Sequence, residues 1–120
     1  MSKGAVLTLQ FLAYALASSS GLILIKRALP DAVSSVQAGR LFDSITPNMV
    51  AGVTLYVLSF AVWIVIMSKS SLSFAYPIAI GLSVIGTFVG AILILGESTS
   101  VAKLVGAALI IAGIALVTNG

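Results

Sequence analysis

The side chains able to do chemistry here are few, and most stand at helical spacing inside long apolar runs. Gln10, Tyr14 and Ser18 recur every four residues, and Gly21 continues the same stripe. A second set, Gly52, Tyr56, Ser59 and Trp63, follows at intervals of four, three and four, and a third, Ser73, Tyr76, Ser83, Thr87 and Gly90, falls on one helix face. Hydroxyls, one amide and aromatic rings bind and orient; they do not by themselves break bonds. The chain has no histidine and no cysteine, which removes the commonest general base, the commonest metal ligand and every thiolate site. No nucleophile, base and orienting group stand together, so no catalytic residue, no metal site and no cofactor is expected, and the chain does not read as an enzyme. Its carboxylates, Asp31, Asp43 and Glu97, all fall at the ends of apolar runs or between them, so no buried proton carrier is expected in mid-membrane.

Those stripes need long helices to carry them. Of the 120 residues, 60% are hydrophobic and 8% charged, and the mean hydropathy is +1.24. A soluble domain has about 25% charged residues, and nine charges cannot coat a surface in water. The composition predicts an all-α membrane protein with the lipid bilayer as its solvent. Residues 5–25 form the first run, and about 21 residues at 1.5 Å each cover about 30 Å, the thickness of a hydrocarbon core. A signal peptide cleaved after Ala15-Leu16-Ala17 is the competing reading, but the run continues through Leu22-Ile23-Leu24-Ile25, so the segment is expected to stay as a helix. Further runs cover 48–67, 72–95 and 101–117, giving four transmembrane helices in a single domain, 1–120. Residues 26–47 carry two prolines, charges and hydroxyls and read as an interfacial connection, either irregular or holding a short surface helix through Val33, Val36, Leu41 and Ile45, with Asp31 as a cap. Pro77 with Gly81, Gly86 and Gly90 predicts a kinked or locally unwound third helix.

The six basic residues are scattered, with no stripe to track phosphates, so nucleic acid is not an expected partner. Lys26, Arg27, Arg40 and Lys103 fall on one side of the membrane and Lys3 and Lys69 on the other, a weak bias that favours the first side as cytoplasmic; counting the terminal amine nearly balances the two, so insertion in both orientations is the alternative. Lys26 and Arg27 read either as snorkelling anchors or as cations that attract an anionic headgroup at the interface. The fourth run has no polar side chain between Lys103 and Thr118, and Gly106 and Gly113 lie seven apart on one side as a packing face. The pair Gly86 and Gly90 reads as packing within one bundle. For each single hydroxyl the alternative to a ligand contact is a bond to its own helix backbone. Three aligned faces together favour a chamber lined by Gln10, Tyr14, Ser18, Tyr56, Ser59, Trp63, Tyr76 and Ser83. One four-helix chain is too small to complete it, which points to a dimer with a shared central chamber.

Gly21-Leu22-Ile23-Leu24-Ile25-Lys26 closing the first run, Ser73-Phe74-Ala75-Tyr76-Pro77 opening the third, Gly96-Glu97 after it, and Gly106 with Gly113 in the fourth resemble the drug/metabolite transporter superfamily. Within it the chain is similar, over essentially its whole length, to the four-helix small multidrug resistance proteins and to the aminoarabinose-lipid flippase subunits. The resemblance implies an antiparallel or pseudo-symmetric dimer, alternating access, and a dimer contact through Gly106 and Gly113. It also has departures. The multidrug branch carries an essential glutamate eight residues before the lysine that closes helix 1, where this chain has Ser18, and an aromatic residue three after the helix 3 tyrosine, where it has Ala79. The flippase-like relatives lack that glutamate and share Ala75-Tyr76-Pro77. The connection between the first two helices is longer than in either branch.

The expectation is therefore a small transporter or flippase in the inner (plasma) membrane, multi-pass, moving an amphipathic or lipid-linked substrate as a homodimer or as a heterodimer with a related four-helix chain. An exporter of small cations or neutral metabolites using the faces of Tyr14, Trp63 and Tyr76 is the second reading. A non-transporting assembly partner for a membrane enzyme is the third.

Overall fold

The computed structural model describes residues 2–120, and among these every regular element is helical. Helix α1 spans Lys3–Gln37, α2 Pro47–Lys69, α3 Leu72–Leu93 and α4 Val101–Asn119, and a 3-10 turn covers Leu41–Ser44. Each of the four α-helices is long and apolar enough to cross a membrane. Three of them start at a hydroxyl cap: Ser2 accepts from the Ala5 amide, Thr46 from Met49 and Ser100 from Lys103, each at 3.2 Å. Pro47 occupies the first turn of α2, where an amide proton has no helical partner to lose.

The first helix corrects the expected connection. It does not stop at Ile25 but runs on through Lys26, Arg27 and Pro30 to Gln37, so most of the stretch expected as a loop or separate surface helix is its last three turns. Asp31, expected as a cap, lies inside the helix and is exposed. The proline is tolerated because the carbonyl it leaves without a donor is that of Lys26, an exposed position where water or a headgroup supplies the bond. What holds the extension is a stripe of small residues, Ala28, Ala32 and Ser35, buried at four- and three-residue spacing. The helix ends in a left-handed glycine, Gly39 at φ 77°, with Arg40 N donating to Ser35 O at 2.8 Å and Gly39 N to Val36 O at 3.1 Å, a Schellman closure. At 35 residues α1 is about 52 Å long, well beyond a hydrocarbon core of about 30 Å.

Helix α3 is likewise continuous through Pro77, without the expected unwinding. Pro77 is the sixth residue of the helix and deprives only the Ser73 carbonyl of its donor, in the first exposed turn. The chain leaves α3 two residues before the expected end and turns at Gly96, φ 69°, with Glu97 N reaching back to Ala91 O at 3.0 Å.

Helix α1 is the centre of the bundle, packed along both α2 and α3, while α2 and α3 touch sparsely and α4 rests on α3. Two glycines set the crossing of α1 with α2. A Cβ placed on Gly21 would stand 2.7 Å from Gly52 O, and one on Gly52 2.9 Å from Gly21 O, so the two backbones are in direct contact. On the other side of α1, Gly86 faces the Ser19 side chain and Gly90 the Ile23 side chain, which makes this glycine pair a packing surface inside the bundle. Such approaches supply dispersion contacts where lipid tails remove any hydrophobic drive between helices. The buried cluster is small: Phe11 from α1, Ile66 from α2, and Ala75, Ile78 and Ala79 from α3, with Phe74 meeting Phe11 edge-on at 6.4 Å. Helix α4 buries no residue, and leucines such as Leu109 and Leu116 point outward, an arrangement that suits lipid and not water.

Candidate functional site

The glycine crossings fix the rotation of the helices, and that rotation brings three of the aromatic positions together. Tyr14 of α1 lies 6.0 Å from Trp63 of α2, ring centre to ring centre, and Trp63 lies 5.6 Å from Tyr76 of α3 in an edge-on arrangement. Both spacings fall within the range in which ring quadrupoles attract. Tyr14 and Trp63 are half-buried and Tyr76 is 51% exposed, so the cluster has a hidden inner part and an open rim. The rim borders a groove of about 450 Å³ between α2 and α3, lined by Trp63, Met67, Leu72, Ser73, Tyr76 and Pro77. It exists because α2 and α3 hardly touch and are held apart by their separate packing on α1.

The serines are used differently. Ser18 and Ser83 are buried, and their hydroxyl oxygens lie 2.7 Å apart across the α1–α3 contact. The Ser18 hydroxyl also lies 3.3 Å from the Ala15 carbonyl, and either serine can be the donor in the shared bond. Ser19 donates to the Ser83 carbonyl at 3.0 Å. Three hydroxyls thus join α1 to α3 in a buried seam. Ser59 is buried and donates to Tyr56 O in its own helix, at 2.5 Å. Tyr56 itself is 45% exposed, on the helix turn above the Gly21–Gly52 crossing.

Gln10 and Thr87 each hold a buried side-chain oxygen with no hydrogen-bond partner. A buried polar atom without a partner costs about 1–3 kcal/mol. Gln10 lines two adjoining depressions at the start of α1, one walled by Lys3, Val6, Leu7, Lys69 and Ser70, the other by Val6, Leu9, Ala13, Val62 and Val65. Lys26 and Arg27 are exposed on α1 and make no ion pair; among the described residues the ion pair is Arg40 with Asp43, at 3.5 Å on the surface. Gly106 and Gly113 have open space where a Cβ would stand, but both are half-buried on the stripe of Ile110, Ile114 and Val117 that faces α3, and Gly106 lines a cavity of about 330 Å³ with Val84, Ile85 and Phe88. Among the described residues no cluster of acidic side chains could hold a metal.

Of the residues expected to line a chamber, Tyr14, Trp63 and Tyr76 come together, Tyr56 neighbours Tyr14 without a ring contact, Gln10 lines separate cavities, and Ser18, Ser59 and Ser83 make internal bonds. Ser19, Lys3, Lys69 and Ser70 stood outside the expected set. The two lysines were legible as sharing one end of the bundle, since an antiparallel α1–α2 pair returns the end of α2 to the start of α1. Nothing in the spacing marked Ser19, which sits one residue off the polar stripe. Scans against protein-family models, curated proteins and solved structures give no match for this chain.

Proposed function

We propose that this chain is a multi-pass plasma-membrane transporter or flippase that moves an amphipathic substrate along the aromatic face built by Tyr14, Trp63 and Tyr76. The observation that carries the reading is the contact of these rings, one from each of three helices, beside an open groove between α2 and α3 that Trp63 and Tyr76 line. Aromatic side chains with a polar tip suit a molecule that is apolar at one end and wet at the other. No carboxylate faces the groove, so the reading involves no proton exchange through the site.

The transporting unit is a dimer in this reading. A groove open along one side cannot shield a headgroup from lipid, and a second copy laid across it closes the path. The outer side of α4, a helix that buries no residue in the single chain, gives such a copy a face to pack on. Export of a small cation over the same rings is the second reading, favoured by the aromatic cluster alone.

Reconstitution in vesicles tests the proposal. A fluorescent single-chain amphiphile is placed in both leaflets, and its exchange is read as the fraction quenched by an impermeant reductant. The wild-type chain is expected to speed exchange, and Trp63→Ala to slow it about tenfold through the loss of two ring contacts. Exchange no faster than in protein-free vesicles refutes transport of amphiphiles; selective movement of a quaternary ammonium dye in its place supports the second reading.

A further inference from the structure

We infer that the end of the bundle where α1 begins and α2 ends holds a binding site for a phosphate-headed lipid, with the headgroup between Lys3 and Lys69 and one chain lying in the cleft between α1 and α2. The inference rests on the membrane-spanning part of the proposed function and not on transport.

Two cavities carry it. The first, about 570 Å³, is walled by Lys3, Val6, Leu7, Gln10, Lys69 and Ser70. The second, about 380 Å³, is an apolar trough lined by Val6, Leu9, Gln10, Ala13, Val62 and Val65. They share Val6 and Gln10 as wall, so a cationic mouth and an apolar trough adjoin each other along the helix pair. A free phosphate would use only the mouth, and a neutral lipid only the trough; a lipid with an anionic head fills both.

The charges of the bundle are sorted to match. All three acidic side chains, Asp31, Asp43 and Glu97, belong to the opposite end, where α1 finishes, α2 starts and the α3–α4 turn lies. Among the described residues neither Lys3 nor Lys69 forms an ion pair. Ordinary snorkelling explains why each lysine sits at a helix end, but not why both wall one cavity together with Ser70 and the amide of Gln10. Gln10 lines both cavities, and its Oε1 is turned into the protein where it has no partner, so turning the amide toward the cavity breaks no bond of that oxygen. A carboxamide presents either a donor or an acceptor after a half-turn, so the same side chain serves a phosphate oxygen or an ester-linked hydroxyl. Cations near a membrane surface attract anionic lipid by an amount equal to about fivefold in affinity each.

Full-length protein in nanodiscs of neutral lipid tests the site, with dissociation constants measured by native mass spectrometry. The probes are oleoyl lysophosphatidic acid, monooleoylglycerol with the same chain and no phosphate, and inorganic phosphate as competitor. The expected result is binding of the lysophosphatidic acid, at least about tenfold weaker binding of monooleoylglycerol, and no competition by inorganic phosphate at millimolar concentration. Lys3→Gln with Lys69→Gln should weaken the first by about 30-fold, while Lys103→Gln, the loss of one charge at the other end, leaves it within about twofold and not the about fivefold of either lysine at the site. Ala13→Trp, which fills the trough without touching a charge, should weaken it as well; helical circular dichroism verifies that each variant is folded. Lysophosphatidic acid affinity in the double lysine variant within about threefold of wild type overturns the inference. So does inorganic phosphate that competes as well as the lipid, since the site would then serve a soluble anion. Lipid binding in a chain that exchanges no amphiphile between leaflets refutes transport and leaves this site standing; exchange without lysine-dependent binding does the reverse.

Discussion

Replacing Gly21 or Gly52 by alanine strikes the contact on which the whole arrangement of α1 against α2 depends. A methyl on Gly21 would stand 2.7 Å from Gly52 O and 2.9 Å from Tyr56 N, where ordinary van der Waals contact begins near 3.4 Å. The shortfall of about 0.7 Å is against backbone, which has no rotamer to swing away, so the helices must separate along the crossing. Overpacking of this kind costs about 1–3 kcal/mol. The same bond is strained from both sides, since a methyl on Gly52 would lie 2.9 Å from Gly21 O and from Ile25 N. One separation relieves both clashes, so Gly21→Ala with Gly52→Ala should cost less than the sum of the single changes, with a coupling of at least about 0.5 kcal/mol. Gly90→Ala is the contrast: its methyl meets the tip of the Ile23 side chain, which can turn, and the cost should stay below about 1 kcal/mol. Reversible unfolding in mixed micelles, followed by the fluorescence of Trp63, the only tryptophan, measures all four variants. Gly21→Ala no more destabilising than Gly90→Ala, or strictly additive single changes, would refute a backbone contact between α1 and α2.

In the α1–α3 interface, a double-mutant cycle of Ser18→Ala and Ser83→Ala should give a coupling of about 0.6 kcal/mol, the size of a hydrogen bond between membrane helices, and zero coupling in the same unfolding assay would remove the bond. Leu109→Ala with Leu116→Ala, on the exposed side of α4, should leave the unfolding midpoint of the single chain unchanged and raise the monomer fraction seen by sedimentation in detergent; an unchanged monomer fraction would exclude that face from the dimer.

Helix count was legible from the sequence because each span is an apolar run of membrane length, a signal that needs no tertiary context. The extension of α1 past Arg27 was not. Its buried stripe is Ala28, Ala32 and Ser35, residues with little hydrophobic weight, and Pro30 in the midst reads as a breaker when the wet environment of the Lys26 carbonyl is unknown. Pro77 misled for the same reason, since its cost depends on how near the helix start the orphaned carbonyl lies. Periodicity identified faces carrying Tyr14, Trp63 and Tyr76, but whether those faces meet depends on helix rotation, which the Gly21–Gly52 crossing sets and a period cannot reveal. The hydroxyls show the limit most clearly. Ser18 and Tyr14 share a stripe, yet one is spent in a hydrogen bond to Ser83 and the other stays partly open.

Whether two copies build one transport path is measured most directly by mixing wild-type chains with Trp63→Ala chains in vesicles at fixed total protein and reading amphiphile exchange against the wild-type fraction. A path shared by both copies, with a ring needed from each, gives exchange that follows the square of that fraction, about one quarter of the full rate at equal mixing. Exchange that falls in a straight line with the wild-type fraction would mean that each chain works alone and would contradict the shared path.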